Sequence, residues 1–358
     1  MNAIDDEDDD GETDSLVMPD IRASVTLNRT NITSIDHQDR GRRFNPNAEH
    51  DPYEEGSFSL DAGFVLSRLA EEMAAAKTLA EVKEVRGKEY GFKFQHVPKS
   101  NENTRLCKWA IFNNELNVVV CFSHAGWEPG AMRKGATKRY TLDAGAGAGC
   151  MRKCSPCCGK ASACKSATKA YVSIRAQLIE TVEKVIKYQA RLTPSFNLYI
   201  AGHGMGGAVA SVAAVDFSKT FDQYKPNGMR GPQLYTFGAK KVANEHFAQE
   251  ADKWLDDAYH VVSLSDLLPH LPTSLVQFGT TVVLGELQDK SINTDEEVED
   301  EEVVISLRTG AGLQPVPAEI VKSGARMTHE EMKGEYCDMY SDLLREVWSQ
   351  GFGGSSTL

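Results

Sequence analysis

The sequence predicts an α/β fold, a mainly parallel central sheet with helices on both faces. Three observations lead there. From residue 197 onward the chain alternates: strand 197–201, helix 206–219, strand 233–237, helix 244–256 and strand 259–264. Strands separated by helices pair in parallel, and the helices cover the sheet. Between the first of these strands and its helix stands Gly202-His203-Gly204-Met205-Gly206, a glycine-spaced strand-to-helix turn. Finally, 358 residues with 41% apolar and 25% charged side chains suffice for one large globular domain.

The remaining elements follow in order. Residues 1–55 are acidic, polar and broken by Pro and Gly, so a disordered tail is expected before a single domain over 56–350. Residues 60–85 read as helix, with Phe64, Leu66, Leu69, Met73 and Ala76 near one face. Segments 108–112 and 116–122, joined by Asn113-Asn114-Glu115, read as a β-hairpin. Residues 126–168 are rich in Gly and Cys, have no regular period, and form an insert. Tyr171, Ile174, Leu178, Val182 and Val185 are spaced 3, 4, 4 and 3, which predicts a helix over 169–190. Gly207, Ala208, Ala210, Ser211, Ala213 and Ala214 suit a helix packed closely on a sheet. Segments 274–285 and 303–308 read as late strands about an acidic insert within 286–325, and an amphipathic helix from 329 to about 348 closes the domain.

Charge is unevenly placed. The net charge is −12, but residues 1–20 hold nine acids and residues 291–302 hold seven, with no Lys or Arg in either run. Without those sixteen the balance is 39 bases against 35 acids, or +4. The two runs read as solvated segments, and no nucleic-acid partner is expected. No stretch approaches the ~20 apolar residues of a membrane span. The first thirty residues show no apolar core after a basic start. A cytoplasmic or membrane-peripheral chain is therefore the expectation.

The turn at 202–206 has the outline of a nucleophile elbow, which normally carries a serine at its centre. Here the centre is Gly204, which has no side chain to attack an ester. Gly202 and Gly206 suit a turn where backbones approach closely. A phosphate-binding turn is the competing reading, but neither common phosphate-loop pattern can be read here. Downstream, a buried strand ends near Asp266, where an acid can orient a histidine; capping of a turn is the alternative. His329 opens the last helix, either as a first-turn residue or as that histidine. The order 204, 266, 329 is the nucleophile–acid–histidine order of α/β-hydrolases.

With these residues in hand, the chain resembles the class 3, or fungal-type, lipases from about Lys108 to Tyr340. The elbow stands as Gly202-His203-Gly204-Met205-Gly206-Gly207. The next strand is Leu234-Tyr235-Thr236-Phe237-Gly238, followed by Asn244 and Phe247. The acid segment runs from Val261 through Asp266 to Leu271-Pro272, and His329 is followed by Tyr336. The resemblance implies an α/β-hydrolase fold, hydrolysis of acylglycerol or other lipid esters, and no cofactor. It implies that Gly204 holds the nucleophile position, with Asp266 and His329 as its partners. It further implies that the backbone N–H groups of Ala125 and Met205 face an oxyanion.

This chain departs from the family twice. The hydroxyl residue expected after the first long strand is Ala125, in Phe122-Ser123-His124-Ala125. The histidine-glycine-phenylalanine segment before the next helix is replaced by the Cys-rich insert. Loss of the nucleophile together with oxyanion support points to a lipid-binding or partner-binding module with little or no hydrolysis. A working serine lipase, with Gly204 as a variant residue, is the competing reading.

Five of the eight cysteines, Cys150, Cys154, Cys157, Cys158 and Cys164, fall in the insert beside Arg152, Lys153, Lys160 and Lys165. Cys154 and Cys157 form a C-x-x-C that zinc can use, but no second such pair is present. Disulfides, lipid attachment with membrane contact, and a plain reduced loop remain open. A zinc- or redox-responsive signalling protein built on this insert is a third functional class.

Overall fold

The computed structural model describes residues 58–76, 78–85, 87–98, 107–124, 161–222, 226, 228–263, 266, 268–270, 272, 274–285, 304–309 and 340–345. Its centre is an eight-stranded sheet with the strands in sequence order. They are β1 (Phe94–His96), β2 (Cys107–Asn113), β3 (Asn117–His124), β4 (Phe196–His203), β5 (Met229–Phe237), β6 (Ala258–Ser263), β7 (Thr280–Gly285) and β8 (Val304–Thr309). β3 to β7 run parallel, while β1–β2–β3 and β7–β8 pair antiparallel. The hairpin predicted at 108–122 is the β2–β3 pair. The late strands predicted at 274–285 and 303–308 are β7 and β8, so part of the 286–325 segment is an edge strand.

Among the described residues, each parallel crossover from β3 to β6 carries one helix: α3 (Lys165–Leu192), α4 (Gly204–Phe221) and α5 (Glu245–Trp254). The strands progress in one direction across the sheet. Successive crossovers of one hand then leave their helices on one face. Tyr171, Leu178, Val209, Val212 and Phe247 of these helices pack with Val118, Val120, Leu198, Ile200 and Leu234 in one core. Side chains alternate along each strand, so Val119, Cys121, Tyr199, Ala201, Tyr235 and Phe237 face the other way. That face is covered from the ends of the chain, by α1 (Leu60–Ala75), α2 (Leu79–Glu84) and a short helix, α6, at 340–345. Helices therefore lie on both faces, as predicted.

Two helix boundaries differ from the sequence reading. The helix expected over 60–85 breaks at 76–78. There the Thr78 hydroxyl accepts from Glu81 N at 3.2 Å and donates to Glu81 Oε1 at 3.2 Å. This reciprocal cap starts a new helix, and the Lys108 ammonium donates to the free Ala76 carbonyl of the old one. The helix expected from 169 begins at Lys165, so 165–168 are not part of an irregular insert. Ala167 and Ala170 carry its buried face one turn further back, into contact with the core.

Candidate active site at the carboxyl edge of the sheet

The parallel strands present their carboxyl ends on one edge, where open α/β sheets place their ligands. β4 ends there at His203, and α4 begins at once with Gly204. Gly204 has φ +53°, the left-handed conformation of an elbow apex. Its flanking glycines are required by space. A Cβ on Gly202 would lie 2.6 Å from the Gly206 backbone, and one on Gly206 would lie 2.4 Å from the Phe122 carbonyl oxygen. A Cβ on Gly204 would meet only Leu268 Cδ2, at 3.6 Å. The apex thus has room for a side chain that the chain does not supply. Met205 is buried in the first turn of α4, and His203 makes no side-chain cap there. The Met205 N–H is therefore one of the helix-start donors aimed at this edge.

Asp266 lies three residues beyond the end of β6 and is 6% exposed. Its Oδ2 accepts a 2.6 Å hydrogen bond from the Tyr340 hydroxyl, and its Oδ1 accepts from Leu268 N at 2.9 Å. The Tyr340 hydroxyl in turn accepts from Ser263 N at 3.2 Å. Burial pushes the Asp266 carboxyl up to about 6, and the two hydrogen bonds pull it partly back. Burial and the neighbouring carboxylate push the Tyr340 phenol well above its ordinary value, so it remains a donor. Gly238 makes the meeting of these side chains feasible. A Cβ there would lie 2.4 Å from Asp266 Oδ2 and 2.8 Å from Tyr340 Cε2. The Tyr340 ring also meets His203 edge-on, with centroids 5.8 Å apart. Tyr340 thus connects the elbow and the acid.

The structure brings Gly202, His203, Gly204, Met205, Gly206 and Asp266 to this one edge. Ala125 and His329 lie outside the described residues, as do Tyr336, Cys150, Cys154, Cys157 and Cys158. The expected approach of His329 to Asp266 falls with them. Cys164 is buried at the start of α3 rather than in an irregular insert. Among the described residues no group of three His, Cys, Asp or Glu side chains is arranged to hold a metal.

Tyr340 was not identified from the sequence. In the helix expected from 329, Tyr336 and Tyr340 would share one face, so periodicity does not separate them. Other candidate groups are poorly placed. Ser211 is 1% exposed, and its hydroxyl donates to the Gly207 carbonyl within α4. His260 is buried beside Thr236 on the α3–α5 side of the sheet, and burial lowers it to about 3, so it stays neutral.

Residues 138–276 match the model of the class 3 lipase family. A secreted mono- and diacylglycerol lipase of Fusarium solani is 28% identical over 96 residues, covering 27% of this chain and 26% of the relative. A lipase of Caenorhabditis elegans is 31% identical over 94 residues, covering 25% of each. The chain thus spans about a quarter of the length of the curated relatives it matches. Lipase II from Rhizopus niveus superposes with a TM-score of 0.51 at 12% identity, covering 78% of this chain and 94% of that one. A triacylglycerol lipase with a serine-protease-like triad superposes with a TM-score of 0.50 at 15% identity, over 80% and 97%. The chain carries the class 3 lipase pattern over residues 138–276 on an α/β-hydrolase fold.

Proposed function

We propose that this chain is a class 3 lipase-like protein that has lost most or all of its family's ester hydrolysis. It uses the acyl cleft to bind a lipid, an acyl ester or a protein partner. One observation carries the reading. Gly204 occupies the apex of a nucleophile elbow, at φ +53°, with no side chain to form an acyl intermediate. The Met205 N–H and the buried Asp266 support retention of the rest of the site. The similarity to the Fusarium mono- and diacylglycerol lipase supports acylglycerols as the ligand class. Ala125 in place of a hydroxyl residue supports weakened oxyanion binding, where one donor is worth roughly 2.7–4 kcal/mol. A cytoplasmic or membrane-peripheral location belongs to the same reading. Among the described residues no helix is long and apolar enough to cross a membrane.

The test is a fluorophosphonate probe together with a fluorescent fatty-acyl ligand. The native chain should bind the ligand and remain unlabelled. Stoichiometric serine labelling would overturn the reading, and the mapped adduct would name the serine.

A second reading is favoured by the space at the apex. A Cβ fits at 204 with one ordinary contact, and the left-handed conformation is still held. On that reading the native residue is serine and the protein is a working lipase in lipid metabolism. Reading codon 204 in the source gene decides between them.

A further inference from the structure

Two loops meet beside the elbow, and both carry basic side chains. The first follows β5 and reads Gly238-Ala239-Lys240-Lys241-Val242-Ala243. It rests on the elbow helix, since a Cβ on Gly207 would lie 2.7 Å from the Ala239 Cβ. The second is the tight turn Leu268–His270 and the segment after it. Asp266 Oδ1 holds the start of that turn by accepting from Leu268 N at 2.9 Å. Leu268 is the side chain that a Cβ at 204 would touch, at 3.6 Å. The two loops bridge at Ala243 and Val276, where Val276 N donates to the Ala243 carbonyl at 2.8 Å. Lys241 thus lies two residues from the bridge, and His270 lies two residues from the apex contact.

These basic groups lack countercharge. His270 is 9% exposed and makes no hydrogen bond among the described residues. Lys241 is half-buried and has neither hydrogen bond nor ion pair among them. Lys240, 7% exposed, donates to the Ser166 hydroxyl at 3.5 Å, which neutralises nothing. No described carboxylate forms an ion pair with either lysine. Burial lowers the Lys241 ammonium below its ordinary value, and burial together with the Lys241 charge lowers the His270 imidazole. The nearby Asp266 has its two oxygens engaged by Tyr340 and by Leu268 N, and Glu245 at the start of α5 is exposed. Cations held partly out of water without a countercharge are costly, and an anionic ligand relieves that cost.

Position selects the kind of anion. A fatty acid carries its only charge at the carboxylate, which belongs at the apex beside the Met205 N–H. A neutral acylglycerol carries no charge. A glycerophospholipid carries an acyl ester and, a few bonds away along the glycerol, a phosphate. Phosphate oxygens accept charge-assisted hydrogen bonds from lysine and from protonated histidine. We propose that Lys241 and His270 form a headgroup subsite for the phosphate of a glycerophospholipid whose acyl ester lies at the elbow, with Lys240 adding positive charge beside them. Lys241 offers its ammonium donors, and His270 takes up a proton and donates once the phosphate is in place. The inference rests on the reading of the carboxyl edge as an acyl-lipid site and names the class of lipid.

The experiment measures binding of three soluble probes to the full chain by calorimetry: dihexanoylglycerol, dihexanoylphosphatidic acid and inorganic phosphate. The phosphatidic acid should bind about tenfold more tightly than the diacylglycerol, the gain expected from one charge-assisted hydrogen bond. Phosphate alone should bind more weakly than the phosphatidic acid. Lys241→Gln and His270→Gln should each remove most of the preference, and Lys241→Arg should keep it. Lys187→Gln, at an exposed position on α3, should leave it unchanged. Equal binding of the two lipids overturns the inference and leaves the acyl-site reading standing. Failure of both lipids to bind overturns that reading and the inference with it. Inorganic phosphate binding as tightly as the phosphatidic acid overturns the lipid assignment in favour of a free-phosphate site. A preference unchanged in folded Lys241→Gln, or lost equally in Lys187→Gln, overturns the subsite. Should Lys241→Gln unfold, acetylation of the native chain decides. Phosphatidic acid should protect Lys241 more than the diacylglycerol does, and equal protection overturns the proposal.

Discussion

The Tyr340 hydroxyl donates a 2.6 Å hydrogen bond to Asp266 Oδ2, and the two side chains meet directly over Gly238. Tyr340 sits on α6, which is held to α1: Glu71 Oε1 accepts from Ser341 N at 3.0 Å, and Arg68 reaches the Ser341 hydroxyl at 3.3 Å. The acid at the carboxyl edge is thus positioned by a helix from the far end of the chain. Tyr340→Phe removes the bond while keeping the ring against His203 and Phe237. Among the described residues the variant leaves the buried carboxylate with the Leu268 N–H as its one remaining donor, and it takes an acceptor from Ser263 N. A loss of about 1–3 kcal/mol is expected in urea denaturation. Asp266 should also titrate higher than in the native chain, because the lost bond favours its charged form.

Asp266 makes stability depend on pH in an unusual direction for a carboxylate. Its folded value, about 6, lies above the ordinary 3.8. The folded state therefore binds its proton more tightly than the unfolded state. Its contribution is fully present below 3.8 and is lost as pH rises through about 6. Two units correspond to about 3 kcal/mol. In Asp266→Asn this component should vanish. The difference in stability between native chain and variant should change steeply between pH 4 and 6 and level off above. A flat difference across that range would show that Asp266 is charged throughout.

The strand-to-helix turn at 202–206, the hairpin and the parallel strands were legible because each rests on local pattern. Asn197–Ala201 is an apolar run, Gly202 and Gly206 bracket the turn, and α4 opens on small residues. The break between α1 and α2 was not read from the sequence: Thr78 and Glu81 have capping-box spacing, but apolar periodicity runs across the break and masks it. The start of α3 was obscured by the cysteines before it, whose composition reads as loop. Gly238 was beyond local pattern. Its necessity comes from Asp266 and Tyr340, residues 28 and 102 positions further on. The face that each helix covers was likewise set by strand order and not by the periodicity of any one helix.

Glycines of the elbow should rank in cost. Gly206→Ala drives a Cβ to 2.4 Å from the Phe122 carbonyl oxygen, and Gly202→Ala to 2.6 Å from the Gly206 backbone. Both contacts are with backbone and cannot be relieved by a rotamer. Gly204→Ala meets only Leu268 and carries backbone strain of roughly 1–3 kcal/mol. Thermal midpoints should therefore fall more for Gly202→Ala and Gly206→Ala than for Gly204→Ala. A larger fall at 204 would mean that the apex is not the open position of the turn.

The elbow helix is also anchored from behind. Asp216 of α4 accepts from Arg175 Nε at 2.7 Å and Nη2 at 3.0 Å, and from the Tyr171 hydroxyl at 2.5 Å, both partners lying on α3. Asp216 is buried, whereas Arg175 is about a third exposed. Removing the acid strands a phenol and a partly buried guanidinium. Asp216→Ala should cost about 3–5 kcal/mol, the range for breaking a buried pair from one side. Arg175→Met combined with Asp216→Leu should recover much of that loss in a denaturation series.

Gly204→Ser is the decisive variant for the carboxyl edge. The new Cβ meets Leu268 Cδ2 at 3.6 Å, an ordinary contact, so packing does not oppose it. The backbone at φ +53° does, by roughly 1–3 kcal/mol, so the thermal midpoint should fall slightly. The new hydroxyl would stand beside the Met205 N–H, with Asp266 buried on the same edge. If a histidine completes the set, the variant should react with a fluorophosphonate probe and hydrolyse short-chain esters. His329→Ala in the Gly204→Ser background should then abolish labelling. Asp266→Asn should slow it by up to about 10⁴, the loss seen when a triad acid no longer holds the correct histidine tautomer. Hydrolysis should recover less fully than labelling, because Ala125 leaves the oxyanion without a hydroxyl. Ala125→Thr added to Gly204→Ser should raise kcat with little change in KM, as expected for a contact made chiefly in the transition state. A Gly204→Ser chain that folds, binds acyl ligand and remains inert to the probe would show that the site has decayed beyond its nucleophile. Full lipase turnover from the single change would instead make Gly204 the one lesion in an otherwise working enzyme.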